Sequence, residues 1–142
     1  MPAACWNPLS SLIQRRLPYD FLADLHGGDC NEALQPLVFF PVAGEETVNR
    51  MALEVAKYLT VPYRVCSSAK NGLYSWAVQQ GIPALLIERG GQGLWSKDEM
   101  AACCEDVSSL LRHLNILPGG NPPRERAEIA EAVYEEATAN GF

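Results

Sequence analysis

The sequence feature that most constrains the fold is a continuous apolar run, Ala84–Ile87, that ends in Glu88. Gly81 and Pro83 precede this run, and Gly90 is the first of two adjacent glycines that follow it. A short run of this kind between glycine and proline is typical of a strand that is covered on both faces. Because such strands occur in sheets with helices on both sides, we predict an α/β protein.

Strands and helices are predicted to alternate along the rest of the chain. Further apolar segments are predicted to be strands: Phe21–Leu25, Leu37–Phe40 and Tyr63–Cys66. Apolar periodicity and end signals predict helices over Ser10–Arg16, Glu45–Leu59, Leu73–Gln80 and Lys97–Leu114. Ser96, with Glu99 three residues further on, has the spacing of a capping box. We therefore expect a three-layer domain with a small, mostly parallel or mixed sheet flanked by helices.

Composition and charge narrow the classes of function. The 142 residues carry a net charge of -6, which argues against nucleic acid or an anionic membrane as a partner. No segment approaches the roughly 20 apolar residues of a membrane span. The five cysteines are odd in number and form no Cys-x-x-Cys pair, so reduced thiols and a cytoplasmic location are expected.

The first candidate site residue is His26, which directly follows the predicted strand Phe21–Leu25. Open α/β sheets bind ligands beyond the carboxyl ends of their strands, and imidazole is a common zinc ligand. Asp24 or Asp29 is close enough in sequence to accept the second ring N–H and orient the imidazole. The alternative is that His26 only caps the strand through a backbone hydrogen bond, since one histidine cannot supply the three protein ligands of a catalytic zinc.

The second candidate is Glu88, which ends the apolar run and is followed by Arg89 and two glycines. Partial burial would raise the pKa of this carboxyl toward the range that suits a general base. The alternative is an ion pair between Glu88 and Arg89 at a sheet edge. Neighbouring side chains on a strand point to opposite faces, which disfavours that pair.

A nucleotide-binding module is a further alternative, because the glycine-rich segment Gly90–Gly93 follows a predicted strand. The segment lacks the spacing of the dinucleotide fingerprint, and no lysine follows it as in a phosphate-binding loop. We rank this alternative last.

Both strand ends resemble motifs of one known family. The segment Tyr19–Asp29 resembles the stretch that carries the third zinc ligand in the succinylglutamate desuccinylase/aspartoacylase family, which belongs to the zinc carboxypeptidase-like superfamily. The segment Gly81–Gly91 resembles the stretch that carries the catalytic glutamate of the same family. The resemblance runs from about Tyr19 to about Leu117 and keeps the order of the family's elements.

The resemblance implies a zinc-dependent hydrolase of amide or ester bonds in small, N-acyl amino-acid-like substrates. It makes His26 one of three zinc ligands. It makes Glu88 the general base, which takes a proton from the water on zinc and passes it to the leaving amine. Arg89 is assigned to a carboxylate of the substrate.

The resemblance also implies a division of the chain. Residues 1–117 are expected to form a partial zinc carboxypeptidase-like catalytic domain. Residues 118–142 are predicted to form a Pro/Gly linker and then an acidic helix over Arg124–Ala139.

The sequence departs from the family in its metal ligands. Family members carry an upstream His-x-x-Glu pair that supplies two ligands, whereas no histidine precedes His26 here and no His-x-x-Glu occurs. Three explanations stay open. The chain is a fragment of the catalytic unit, or it acts with an upstream partner chain that supplies His-x-x-Glu. The third is that it is an inactive, truncated relative that serves as a binding or homo-oligomerisation module.

Overall fold

The computed structural model describes residues 20–120, 122–124 and 127–129, and the structural statements below concern these residues. The strands are β1 (Leu22–Gly27), β2 (Leu37–Pro41), β3 (Tyr63–Ser67), β4 (Ala84–Arg89) and β5 (Ala127–Ile129). The helices are α1 (Glu46–Ala56), α2 (Leu73–Gln79) and α3 (Lys97–His113). The strands and helices predicted between residues 21 and 114 are confirmed, with small shifts at their ends. The helix predicted over Ser10–Arg16 lies outside the described residues.

The strands form one sheet in the order β1-β4-β2-β3-β5. β1 pairs with β4, β2 with β3 and β3 with β5 in parallel, whereas β2 runs antiparallel to β4. The sheet is therefore mixed, as predicted. Because β2 is reversed, the carboxyl ends of β1 and β4 share one edge of the sheet with the amino end of β2.

Helices cover both faces of the sheet, which confirms the three layers. Leu85 and Ile87 of β4 belong to a core shared with α1 and α3 on one face. Ala84 and Leu86 belong to a second core, shared with α2, on the other face. All four side chains are buried, which explains why the run contains no polar residue. Each buried leucine or isoleucine contributes roughly 1.5–3 kcal/mol to stability relative to an exposed one.

The helix α3 begins at the cap that the sequence predicts. The Oγ of Ser96 accepts a hydrogen bond from the backbone N–H of Glu99 over 3.1 Å. A cap of this kind satisfies one of the free N–H groups at a helix start and contributes roughly 0.5–2 kcal/mol. The cap fixes the end of α3 that directly follows the loop after β4.

The strand β5 corrects the prediction for the C-terminal part of the chain. A helix is predicted over Arg124–Ala139, but Ala127–Ile129 form a strand that pairs with the outer edge of β3. That edge offers unpaired backbone groups, and pairing with them overrides the helical preference of the segment. Residues 130–142, which contain the rest of the predicted helix, lie outside the described residues.

The described helices give no sign of a membrane span. Over the described ranges, none of them combines the length and the apolar character that crossing a bilayer requires.

Candidate active site

The two main predicted site residues, His26 and Glu88, are neighbours on paired strands. They lie opposite each other in the parallel register of β1 and β4. Helix α2 packs against Ala84 and Leu86 earlier on β4, whereas Glu88 stands beyond them at the end of the strand. The structure therefore brings the two residues together at one edge of the sheet.

Both ring nitrogens of His26 face carboxylates. The Nε2 atom lies 3.2 Å from Oδ1 of Asp24, and Nδ1 lies 3.4 Å from Oε1 of Glu88. Asp24 precedes the histidine by two positions on the same strand, so both side chains project from one face. The His26 side chain is 48% exposed, while those of Asp24 and Glu88 are 14% and 15% exposed. The imidazole thus bridges two mostly buried carboxylates at an open edge.

Burial raises the pKa of the Glu88 carboxyl above its ordinary value. The adjacent His26 acts in the opposite direction and lowers this pKa, while the negative charges of Glu32 and Asp24 raise it. Burial and the two carboxylates together outweigh the histidine, so the net change is upward. A carboxylate with a raised pKa accepts protons more readily, which is the property that a general base requires.

Asp29, the second predicted partner of His26, is held in a tight turn after β1. Its Oδ1 accepts a hydrogen bond from the backbone N–H of Cys30 over 2.6 Å. Its own backbone N–H donates to Oε2 of Glu32 over 2.8 Å. Of the two predicted partners, the structure therefore brings Asp24, and not Asp29, to the imidazole.

Arg89 lies on the opposite face of β4 from Glu88. Its Nε donates to Oδ2 of Asp106 over 2.7 Å, its Nη1 to Oε2 of Glu99 over 3.1 Å and its Nη2 to Oγ1 of Thr60 over 2.6 Å. The Arg89 side chain is 8% exposed. Strand geometry carries the side chain of Arg89, which is predicted to bind a substrate carboxylate, into the α3 layer and away from His26.

We call Arg89, Asp106, Glu99 and Thr60 the arginine brace. Burial alone would lower the pKa of Arg89, but the hydrogen bonds and negative charges of Asp106 and Glu99 outweigh it and raise the pKa. Asp106 is fully buried and also accepts the backbone N–H of Thr60. Removing one partner of such a pair leaves the other charge buried and unpaired, at a cost of roughly 3–5 kcal/mol. The brace fixes the end of β4 that carries Glu88.

The loops that follow β1 and β4 are joined through their backbones. The N–H of Gln92 donates to the carbonyl of Glu32 over 2.7 Å, and the N–H of Gly93 donates to the carbonyl of Gly28 over 3.1 Å. We call this contact the loop interlock. This contact was not predicted from the sequence, although a pair of adjacent glycines at or after the end of each strand was a usable signal.

The residues that the structure describes do not fit a complete zinc site. Within them, no group of three or more His, Cys, Asp and Glu side chains is arranged to hold a metal ion. The second histidine, His113, lies on α3 with its ring centroid 4.2 Å from that of Tyr58, far along the chain from the strand ends. Catalytic zinc takes three protein ligands, so His26 alone is not enough.

A cavity of about 350 Å³ lies elsewhere in the molecule, between the end of β2 and the start of α1. Its walls are formed by residues between Phe40 and Leu53. None of the predicted site residues lines this cavity, so it is separate from the cluster around His26.

Three solved structures show what the fold is similar to, whereas no protein-family model and no curated protein sequence matches the chain. The product-bound ectoine utilization protein EutE from Ruegeria pomeroyi is 22% identical with a TM-score of 0.71, over 84% of this chain and 37% of that one. A succinylglutamate desuccinylase from Silicibacter sp. TM1040 is 17% identical with a TM-score of 0.73, over 89% and 39%. The succinylglutamate desuccinylase/aspartoacylase from Rhodobacter sphaeroides is 20% identical with a TM-score of 0.68, over 80% and 33%.

The chain therefore has the α/β fold of the succinylglutamate desuccinylase/aspartoacylase proteins, in part. The match covers most of the chain, but the chain spans only 33% to 39% of those three structures. The resemblance drawn from the two strand-end motifs is confirmed at the level of the fold.

Proposed function

We propose that this chain carries part of the active site of a zinc-dependent hydrolase, which cleaves amide or ester bonds in small, N-acyl amino-acid-like substrates. The observation that carries the proposal is the pairing of His26 with Glu88 at the carboxyl ends of adjacent parallel strands. Open α/β sheets bind their ligands at such strand ends. The fold that the chain shares with desuccinylases and aspartoacylases supports the same class of substrate.

Glu88 is the general base in the proposed reaction. Its carboxylate accepts a proton from the water that attacks the acyl carbonyl and returns that proton to the leaving amine nitrogen. The raised pKa of Glu88 favours proton acceptance, and the 15% exposure of its side chain leaves the carboxylate within reach of a substrate. A positioned base of this kind contributes roughly 10²–10⁴-fold to the rate.

His26 is offered as one zinc ligand, with Asp24 as the carboxylate that orients the ring. We assign the other ligands to polypeptide outside this sequence, because the described residues do not complete a zinc site and no His-x-x-Glu occurs in the sequence. We propose that they are a His-x-x-Glu pair on an upstream partner chain. The chain spans 37% and 33% of two of the solved neighbours.

A second candidate function is that of an inactive relative that binds another chain or a second copy of itself. This candidate is favoured by β1, because among the described strands none pairs with its outer side. Leu25 on β1 is also 50% exposed. Unpaired sheet edges with exposed apolar side chains readily pair with other chains.

We place the protein in the cytoplasm. The cysteines Cys30, Cys103 and Cys104 are free thiols, and Cys5 lies outside the described residues. Free thiols are typical of a reducing compartment, which supports this location.

Metal content separates the candidates. The protein to measure is the natural polypeptide that contains these residues, together with any chain that co-purifies, as wild type, His26→Ala and the matched control His113→Ala. We expect about one zinc in the wild type and in His113→Ala and a loss of zinc in His26→Ala, with hydrolysis of N-acyl amino acids following the zinc. The isolated 142-residue chain is expected to retain none after dialysis.

The zinc measurements distinguish the hydrolase from the binding module. If the isolated chain retains zinc and His26→Ala loses it, the proposal that the other ligands come from outside the sequence would be wrong. The proposal that the protein is a hydrolase would stand. An absence of zinc from both preparations would contradict the hydrolase and favour the binding module.

A further inference from the structure

We propose that the loop interlock is a positioning device, in which Gly28 and Gly91 hold the strand ends of His26 and Glu88 at their observed separation. This inference rests on the proposed function, because it concerns how that site is held together. It adds two positioning residues that touch no substrate and act through the backbone.

Gly28 and Gly91 each lie too close to the backbone of the other loop to carry a side chain. A Cβ atom on Gly28 would lie 2.7 Å from the Cα of Gly91 and 2.9 Å from the carbonyl oxygen of Gly90. A Cβ atom on Gly91 would lie 2.8 Å from the carbonyl oxygen of Glu32. These neighbours are backbone atoms, which cannot rotate away as a side chain can. Either substitution therefore forces the two loops apart.

Hydrogen bonds also join the two loops that contain Gly28 and Gly91. The amides of Gln92 and Gly93 donate to carbonyls of the first loop over 2.7 and 3.1 Å. Gly90, with a φ of 79°, adopts the left-handed conformation that glycine tolerates best, and this turns the second loop back toward the first. Because Gly28 follows His26 by two positions and Gly91 follows Glu88 by three, the tie lies next to both site residues.

The strand β1 depends on this tie more than β4 does. β4 is held by strands on both sides and by the arginine brace, whereas the described part of the chain gives β1 a single neighbouring strand. Without the interlock, the end of β1 could move relative to Glu88. A displacement of about 1 Å between reacting groups costs roughly 100-fold in rate, so limiting that movement is what a positioning device must do.

The test compares Gly28→Ala with Gly27→Ala. A Cβ atom on Gly27 would meet the carbonyl oxygen of Arg89 at 3.6 Å, which is an ordinary contact, so this variant is the matched control. The chain contains two histidines, and the NMR ring resonances of His113 therefore serve as an internal reference for those of His26. We expect Gly28→Ala to shift the His26 resonances and not those of His113, and Gly27→Ala to shift the His26 resonances clearly less.

Amide hydrogen exchange provides a second readout on the interlock. In the wild type, the amides of Gln92 and Gly93 are expected to exchange at least about tenfold more slowly than those of the exposed residues Lys70 and Asn71. This measurement keeps the inference testable if Gly28→Ala does not fold. In an active preparation, Gly28→Ala is expected to lower kcat roughly 100-fold with little change in KM.

Several outcomes would overturn the inference. They are unchanged His26 resonances in folded Gly28→Ala, an equal shift in Gly27→Ala, unprotected amides at Gln92 and Gly93, or a kinetic effect confined to KM. The NMR and exchange readouts need neither zinc nor turnover. The proposal about the loop interlock can therefore be contradicted while the proposed hydrolase function is supported, and the reverse is also possible.

Discussion

Glu88 and Arg89 are adjacent on β4, yet their surroundings differ in every respect that matters for chemistry. Glu88 lies 3.4 Å from the imidazole of His26, which is itself about half exposed. Arg89 has an acceptor on each of its three nitrogens, and one of these acceptors, Asp106, is fully buried. The pleat of the strand sends the two side chains to opposite faces of the sheet.

At this strand end, Glu88 is suited to a chemical role, whereas Arg89 contributes to the stability of the fold. The pKa of Glu88 is raised, so its charged form is disfavoured in the folded protein. The pKa of Arg89 is also raised, but for a cation this means that the charged form is favoured. Groups held in a disfavoured charge state cluster at functional sites, whereas removing one partner of a satisfied buried pair destabilises the fold. Substitutions on the two faces should therefore affect different properties.

The largest expected effect is on activity, at Glu88. Replacing Glu88 with Gln keeps the size of the side chain but removes the base, so hydrolysis by an active preparation should fall roughly 10²–10⁴-fold. Zinc content should stay nearly unchanged, because Glu88 is not proposed as a ligand. Turnover and bound zinc are measured side by side, with Glu32→Gln as a control that removes a nearby negative charge. Full activity in Glu88→Gln would show that Glu88 is not the general base.

The next largest effect is on stability, at Arg89. Replacing Arg89 with Met leaves Asp106 buried without its ion-pair partner, so the free energy of unfolding should fall by roughly 3–5 kcal/mol. The matched control is Lys57→Met, which breaks the exposed pair with Glu54. That change should cost less than about 1 kcal/mol. Denaturant titration measures both variants, and equal losses would mean that the arginine brace adds no more than a surface pair.

The smallest effect is a dependence of stability on pH at Glu88. The pKa of Glu88 is higher in the folded than in the unfolded chain, so between these two values the folded protein holds more protons. The free energy of unfolding of the wild type therefore falls as pH rises through that interval, while Gln does not titrate. Relative to wild type, Glu88→Gln should become more stable as pH is raised from about 4 to about 7. Thermal unfolding at both pH values measures the stability of Glu88→Gln relative to wild type, and a relative stability that falls as pH rises would contradict the raised pKa.

Much of the fold could be predicted because local patterns agree with the tertiary structure. The run Ala84–Ile87 is apolar at every position since its side chains enter two cores in alternation. The meeting of His26 and Glu88 follows from parallel pairing, which places the carboxyl ends of neighbouring strands at one edge. The first inference needed only the segment itself, whereas the second rested on the family resemblance, because His26 and Glu88 lie far apart in the sequence.

The features that escaped prediction all depend on contacts between residues far apart in sequence. Asp106 is 17 positions from Arg89, and only the packing of α3 on β4 reveals that the two are paired. The strand β5 forms because β3 offers a free edge, which the helical composition of that segment does not indicate. The missing signal in both cases was an environment supplied by another element, and not a property of the segment itself.

The reversed direction of β2 has a practical consequence. It places the start of α1 and the neighbouring cavity at the end of the sheet opposite His26 and Glu88. Val42, which is 44% exposed, and the exposed Arg50 lie there and belong to neither the site nor the arginine brace. A fluorophore or a sensor surface attached at this end would leave both strand ends free. Arrival of a second polypeptide at the candidate site could then be followed in real time.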